Sequence, residues 1–258
     1  HARPADAAQV QQWLDADTVM DDDGTRLSKV EGAASRGFLG FLMNRSLPPR
    51  PILSRINMAE KELDVSGAGL RDEFGTALVQ ALPQLPGLEK LNVSDNDLTD
   101  ATIEPLLDHL LELKQLQVLD LSHNDMDVGG ARALRELVAS SHCPLTSLVL
   151  KHTDIDDDDC RLLCEAISEN GDTKLEELCL CDNLIGSQEG RNLCIPDYVT
   201  GGEALGNAIR ENSTLLKLDL SWNAIRNASA VAVGAALEFN STLVELNLEY
   251  NSLGDYGC

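Results

Sequence analysis

His123, His152 and Asp182, the last beside Cys181, are well separated along the chain. Imidazole, carboxylate and thiolate are the side chains that hold transition metals. Residues so distant in sequence meet only where a fold lays them on neighbouring strands, about 4.8 Å apart, near enough for an ion to bridge them. Nothing in the local spacing requires that, and no CxxC pair accompanies it, so neither a metal nor another cofactor is expected. Glycine-rich phosphate loops, Ser/His/Asp sets and pocketed carboxylate pairs are all missing, so no catalytic residue is expected. A third kind of chemistry is recognition. Trp222, in "LDLSWNAIR" (218–226), and Tyr250 offer flat rings with polar edges, the side chains that dominate binding surfaces. Strand alternation from Leu218 and Leu220 would point Trp222 at the core, so what positions it decides its use.

What positions all of these residues is a repeat. "LEKLNVSDNDL" (88–98) recurs as "LQVLDLSHNDM" (116–126), "LTSLVLKHTDI" (145–155), "LEELCLCDNLI" (175–185), "LLKLDLSWNAI" (215–225) and "LVELNLEYNSL" (243–253). A degenerate first copy is "EKELDVSGAGL" (60–70). The starts are evenly spaced except for one long interval, between the copies at 175–185 and 215–225. In each copy a short strand sends two apolar side chains inward, as Leu91 and Val93 do, and the following segment has helical spacing. Ala131, Leu134, Leu137 and Val138 share one helical face. One copy cannot bury both faces alone, so copies must stack, with strands in a parallel sheet and the wider helices opposite. Helices are expected near 72–82, 101–113, 129–140, 157–169, 202–211 and 229–239.

The pattern LxxLxLxxNxL is the leucine-rich repeat signature, and copies of about 28 residues with a helical second half resemble the ribonuclease-inhibitor-like group of that family. Two stretches, "LDLSWNAIR" and "LEFNSTLVELNLEYNSLGDYG", are similar to its intracellular and ciliary members. The resemblance covers residues 60–258 and implies an α/β solenoid of about seven repeats, curved, with the parallel sheet on its concave face and the helices on its convex face. It further implies that positions five, seven and eight of each copy touch partners. That face would carry Asp219, Ser221, Trp222, Asn247, Glu249 and Tyr250, then Cys179, Cys181 and Asp182. The same resemblance holds one enzymatic alternative, a GTPase-activating protein of the Ran type, which would need an arginine such as Arg226 or Arg191 on a loop edge.

Alignment of the copies settles where Trp222 must point. Position eight reads Asp95, His123, His152, Asp182, Trp222 and Tyr250. A core column is not built of polar and charged side chains, so the chain must turn after position seven and put Trp222 beside Tyr250 on an exposed ridge. Position nine holds Asn96, Asn124, Asn183, Asn223 and Asn251, whose amides can satisfy backbone groups where the chain leaves the strand. Thr153 breaks this column, and a local distortion is expected there.

Composition limits the partner. Formal net charge is −23 at pH 7. That field repels nucleic acid and anionic membrane surfaces and favours a basic protein partner, met as a monomer or within a larger complex. No apolar run is long enough to span a bilayer. The seven cysteines show no disulfide spacing, which fits free thiols in a reduced, cytoplasmic setting, with cytoskeletal or ciliary association suggested by the resemblance. Asn-X-Ser/Thr triplets at Asn44, Asn92, Asn212, Asn227 and Asn240 are not read as glycosylation sites, because Asn92 lies in a strand and Asn212 and Asn240 join helix to strand.

Two stretches depart from the repeat. Residues 1–58 lack it: "AAQVQQWLDA" and "SRGFLGFLMNRS" suit helices, part of 30–58 is expected to cap the first repeat, and 1–29 to form a mobile or extended arm. The solenoid then runs over 59–258, and its last copy stops where a helix should begin, so a longer native chain is expected. The second stretch is an insertion in the long copy, near 187–201, with Arg191, Ile195 and Tyr198 as candidate contact residues. The Asp156–Asp159 run is expected to cap a helix.

Overall fold

The computed structural model describes residues 19–20, 26–27, 61–171, 173–190, 195 and 197–254. The cap expected over 30–58, the two N-terminal helices, Arg191, Cys194 and Cys258 lie outside the described residues. Val19–Met20 (β1) pairs antiparallel with Arg26–Leu27 (β2). From residue 62 strand and helix alternate: Glu62–Asp64 (β3), Arg71–Ala81 (α1), Lys90–Asn92 (β4), Asp100–Leu110 (α2), Val118–Asp120 (β5), Val128–Ala139 (α3), Ser147–Val149 (β6), Asp157–Glu169 (α4), Glu177–Cys179 (β7), Gly201–Glu211 (α5), Lys217–Asp219 (β8), Asn227–Leu237 (α6) and Glu245–Asn247 (β9). The helix bounds lie close to the spans that sequence periodicity predicts.

Strands β3 to β9 form one parallel sheet in sequence order. Register never slips: Leu63 faces Leu91 in the first pair and Leu218 faces Leu246 in the last. Each strand turns its fourth and sixth positions toward the helices, and from Leu63 and Val65 to Leu218 and Leu220 they are buried. Such a side chain contributes roughly 2 kcal/mol when fully removed from water. Helices pack each on the next, α1 on α2 through to α5 on α6. A helix is about 10 Å wide and strands sit about 4.8 Å apart, so this stack bends toward its sheet.

The asparagine column ties the copies together. Asn96 Nδ2 donates to the carbonyls of Val65, Val93 and Ser94, and its Oδ1 accepts from Leu70 N–H. Asn124, Asn183, Asn223 and Asn251 repeat this arrangement. At Thr153 the expected distortion does not occur. Its buried hydroxyl donates to Leu150 O at 3.0 Å, and β6 keeps register with both neighbours. A hydroxyl is shorter than an amide, so it serves the carbonyl of its own copy.

Helix starts are equally regular. Thr99, Asp127, Asp156 and Thr200 each accept a backbone N–H of the helix they precede, and Asp156 with Asp159 and Thr200 with Glu203 form capping boxes. These caps satisfy the otherwise orphaned N–H groups of the first turn. Carboxylates from one copy also reach the helix start of the next. Asp72 accepts from Thr99 N–H, and Asp100 from the N–H groups of Asp127 and Gly129.

Candidate partner-binding face

Position eight of every copy is left-handed. Asp95, His123, His152, Asp182, Trp222 and Tyr250 have φ between 52° and 58°, and Gly67 holds the same place at 60° in the first copy. This turn is what removes the residue from the strand's inward alternation. The ladder fixes it: Trp222 N–H donates to Glu249 O at 2.9 Å, and Asp182 N–H to Ser221 O at 2.8 Å. Trp222 is 55% exposed and Tyr250 65%. Their rings stack with centroids 4.0 Å apart and planes 16° apart. Further along the ridge the His123 and His152 rings lie 5.2 Å apart, and His152 Nδ1 is 2.9 Å from Asp182 Oδ2.

Glycine, Asn and Asp take a left-handed backbone most readily, whereas a bulky side chain there costs roughly 1–2 kcal/mol. Gly67, Asp95 and Asp182 therefore suit the turn. Trp222 and Tyr250 do not, yet like His123 and His152 they are held there with their side chains toward solvent. The turn recurs in every copy whatever its residue, and at Trp222 and Tyr250 it displays an aromatic ring at a cost in backbone strain.

The open sheet face is lined by positions three, five and seven. Asn92, Asp120, Cys179, Asp219 and Asn247 at position five are half-buried, and Asn247 Nδ2 donates to Asp219 Oδ2 at 3.2 Å. Glu249, at position seven, is exposed. Two expected members of the face are corrected. Ser221 is 4% and Cys181 9% exposed. Short side chains at position seven lie inside the left-handed turn, and Ser221 Oγ donates to Asp219 Oδ1 at 2.6 Å instead of to a ligand. Between β6 and β9 the face hollows to about 210 Å³, lined by Val149, Glu177, Cys179, Lys217, Asp219 and Glu245 among others. Lys217 Nζ crosses it to Glu177 Oε1 at 2.6 Å, and that hydrogen bond raises the lysine's pKa.

The insertion is anchored at both feet. Asp157, fully buried at the start of α4, accepts from the N–H groups of Gly186, Gln188 and Gly201. A Cβ at Gly201 would stand 2.9 Å from the same carboxylate, so the chain must be glycine there to come so close. Glu189, also buried, accepts from Ser229 N–H and Asn227 Nδ2, and so supplies the helix start of α6 with the cap its own preceding residue lacks. Neither anchor was legible in advance. The available signal was the carboxylate at three of the helix starts, Asp72, Asp100 and Asp157, each of which reaches one copy forward.

Of the insertion's candidate contact residues, Arg191 lies outside the described residues and Ile195 is exposed. Tyr198 is half-buried. Its hydroxyl lies 3.2 Å from Gln188 Oε1 and 3.4 Å from Asp158 Oδ1, with the Arg161 guanidinium 5.8 Å from the ring centroid. Arg226 Nε sits 3.4 Å from buried Glu189 Oε2, so its guanidinium is engaged within the protein.

The Asp156–Asp159 run caps α4 as expected. Asp159 is pushed up to about 6, first by burial and then by the neighbouring Asp156 and Asp127 charges, which together outweigh the Asp156 N–H it accepts. The described cysteines, Cys143, Cys160, Cys164, Cys179 and Cys181, are free thiols. Burial raises the pKa of Cys179, away from nucleophilic reactivity. Among the described residues no three His, Cys, Asp or Glu side chains are grouped to hold a metal ion.

A family model described as leucine-rich repeat matches residues 86–107, 114–134, 141–164, 211–234 and 239–258. The unmatched stretches contain the degenerate first copy and the copy interrupted by the insertion. The ribonuclease inhibitor of Sus scrofa is 34% identical over 97 residues, 38% of this chain and 21% of the inhibitor. That of Mus musculus is 29% identical over 189 residues, 64% of this chain and 40% of the inhibitor. The chain thus spans less than half the length of either relative.

Proposed function

This chain is a leucine-rich repeat protein of the ribonuclease-inhibitor-like type, and on that premise we propose that it is a non-catalytic scaffold that binds a basic protein partner. Contact is made through the acidic open sheet face and the position-eight ridge, with residues 59–258 as the binding solenoid and 1–58 as its arm and cap. The observation that carries this reading is the ridge itself, where Trp222 and Tyr250 are held exposed at φ of 57° and 56°. Asp95, His123, His152, Asp182, Asp219, Asn247 and Glu249 complete the surface, and the insertion bearing Arg191 and Tyr198 borders it. A preformed face loses little ordering entropy on binding, which favours affinity. The relatives' name, ribonuclease inhibitor, describes proteins that act on another protein, and this chain is proposed to act in the same general way.

The surroundings proposed for it are cytoplasmic, with cytoskeletal or ciliary association. The free thiols support a reduced setting, and among the described residues no helix is long and apolar enough to cross a membrane. A GTPase-activating role draws no support from Arg226, which is paired with Glu189.

The test is capture of partners on the immobilised protein at low and at high salt. Captured proteins that are predominantly basic and are released as salt rises fit this reading, because exposed charge pairs are screened within about 10 Å at roughly 0.1 M salt. Acidic or salt-indifferent partners contradict it.

A further inference from the structure

We propose that the Trp222–Tyr250 stack is a seat for a guanidinium group, so that an arginine side chain of the partner, not a lysine, docks on this part of the ridge. The inference deepens the basic-partner reading and rests on it. Three observations converge.

First, among the described residues the protein places a guanidinium over each of its other exposed or half-exposed Phe and Tyr rings. Arg210 lies 4.1 Å from the centroid of Phe239, and Arg161 lies 5.8 Å from that of Tyr198. Among the described residues no cation covers Trp222 or Tyr250, although both stay more than half exposed outside their mutual stack. Second, the cations nearest in the chain are committed elsewhere. Lys217 is paired with Glu177, and Arg226 with Glu189. Third, the flanks are acidic. Asp182 precedes Trp222 along the ridge, Glu249 adjoins Tyr250, and Asp219 lies on the sheet face just before Trp222. Among the described residues the ring pair therefore has no cation of its own, and it stands in a field that draws cations.

The geometry selects among cations. With centroids 4.0 Å and planes 16° apart the rings cover each other's inner faces, so a ligand meets an outer ring face and the stacked edges. A guanidinium is planar and weakly hydrated, so it lies flat on such an outer face as the next layer of the stack while its edge N–H groups reach carboxylates. An ammonium is compact and strongly hydrated and gains less from the same surface. The mutual stack holds the rings before the ligand arrives, so little further ordering is needed.

Two short peptides test this, one alternating Arg with Gly and one alternating Lys with Gly, titrated into the whole protein at equal salt. The Arg peptide is expected to bind about threefold or more tightly, and the preference to disappear in Trp222→Leu. In the unmodified protein methylguanidinium is expected to shift the Trp222 indole N–H resonance, and methylammonium at equal concentration to leave it in place. That second measurement needs no variant and stands even if Trp222→Leu were to unfold. Equal affinity for the two peptides, or a preference that survives Trp222→Leu, overturns the guanidinium seat while leaving the basic-partner reading intact. Binding of neither peptide overturns both.

Discussion

At position eight two effects of similar size oppose each other. A left-handed Trp222 costs roughly 1 kcal/mol or more relative to Asn or Gly, and its stack on Tyr250 returns about 0.5–1.5 kcal/mol. Trp222→Asn is therefore expected to change unfolding free energy by less than about 1 kcal/mol in urea titrations. A loss several times larger would make the ring structural. Position nine behaves in the opposite way. Asn96 is buried and serves four backbone groups in two copies. Its replacement by Ala strands those groups and is expected to cost about 2–4 kcal/mol by the same titration.

Asp159 contributes a pH dependence whose sign follows from its raised pKa. The folded protein keeps this proton up to about pH 6, whereas the unfolded chain loses it near 3.8. Between those values the folded state binds more protons, so this group's contribution to stability falls as pH rises through that window. The carboxyl keeps contact with solvent, so the loss is on the order of 1 kcal/mol, well below the unscreened value. Asp159→Asn retains the carbonyl that accepts from Asp156 N–H. It is expected to flatten the melting temperature between about pH 4 and 6 and to raise it near neutral pH. An unchanged profile would place the effect on another group.

At the scale of elements, strands and helices were legible because their causes are local: Leu at positions four and six, a capping residue at most helix starts, a nearly constant period. The ridge was legible because a column of Asp, His, Trp and Tyr cannot be core. The burial of Ser221 and Cys181 was not legible, because it depends on the turn that follows them and not on their own polarity. The insertion was legible as extra length only. Its anchoring by Asp157 and Glu189 joins residues 29 to 44 positions apart, beyond any local pattern. Asp157→Ala is expected to speed amide exchange across 186–201 and to lower the melting temperature, because three backbone N–H groups lose a buried acceptor. Exchange that stays at its present rate would mean that the insertion is held by other contacts.

For the molecule as a whole, the acidity has two uses. Asp72, Asp100, Asp157 and Glu189 spend their charge inside, on the helix start of the next copy. Asp182, Asp219, Glu245 and Glu249 stand on the sheet face or its edge, where Lys217 is held by Glu177. The net charge of −23 is thus partly architecture and partly a surface field, which on the proposed function speeds encounter with a basic partner. The central claim is that this face, and not the helical side, meets the partner. The most direct measurement is carboxylate-directed crosslinking mass spectrometry on captured complexes, comparing the unmodified protein with Trp222→Asn. The account predicts crosslinks at Asp182, Asp219 and Glu249 that are lost in a variant of nearly unchanged stability. Crosslinks on α1 to α6, or partners retained by Trp222→Asn, would contradict it.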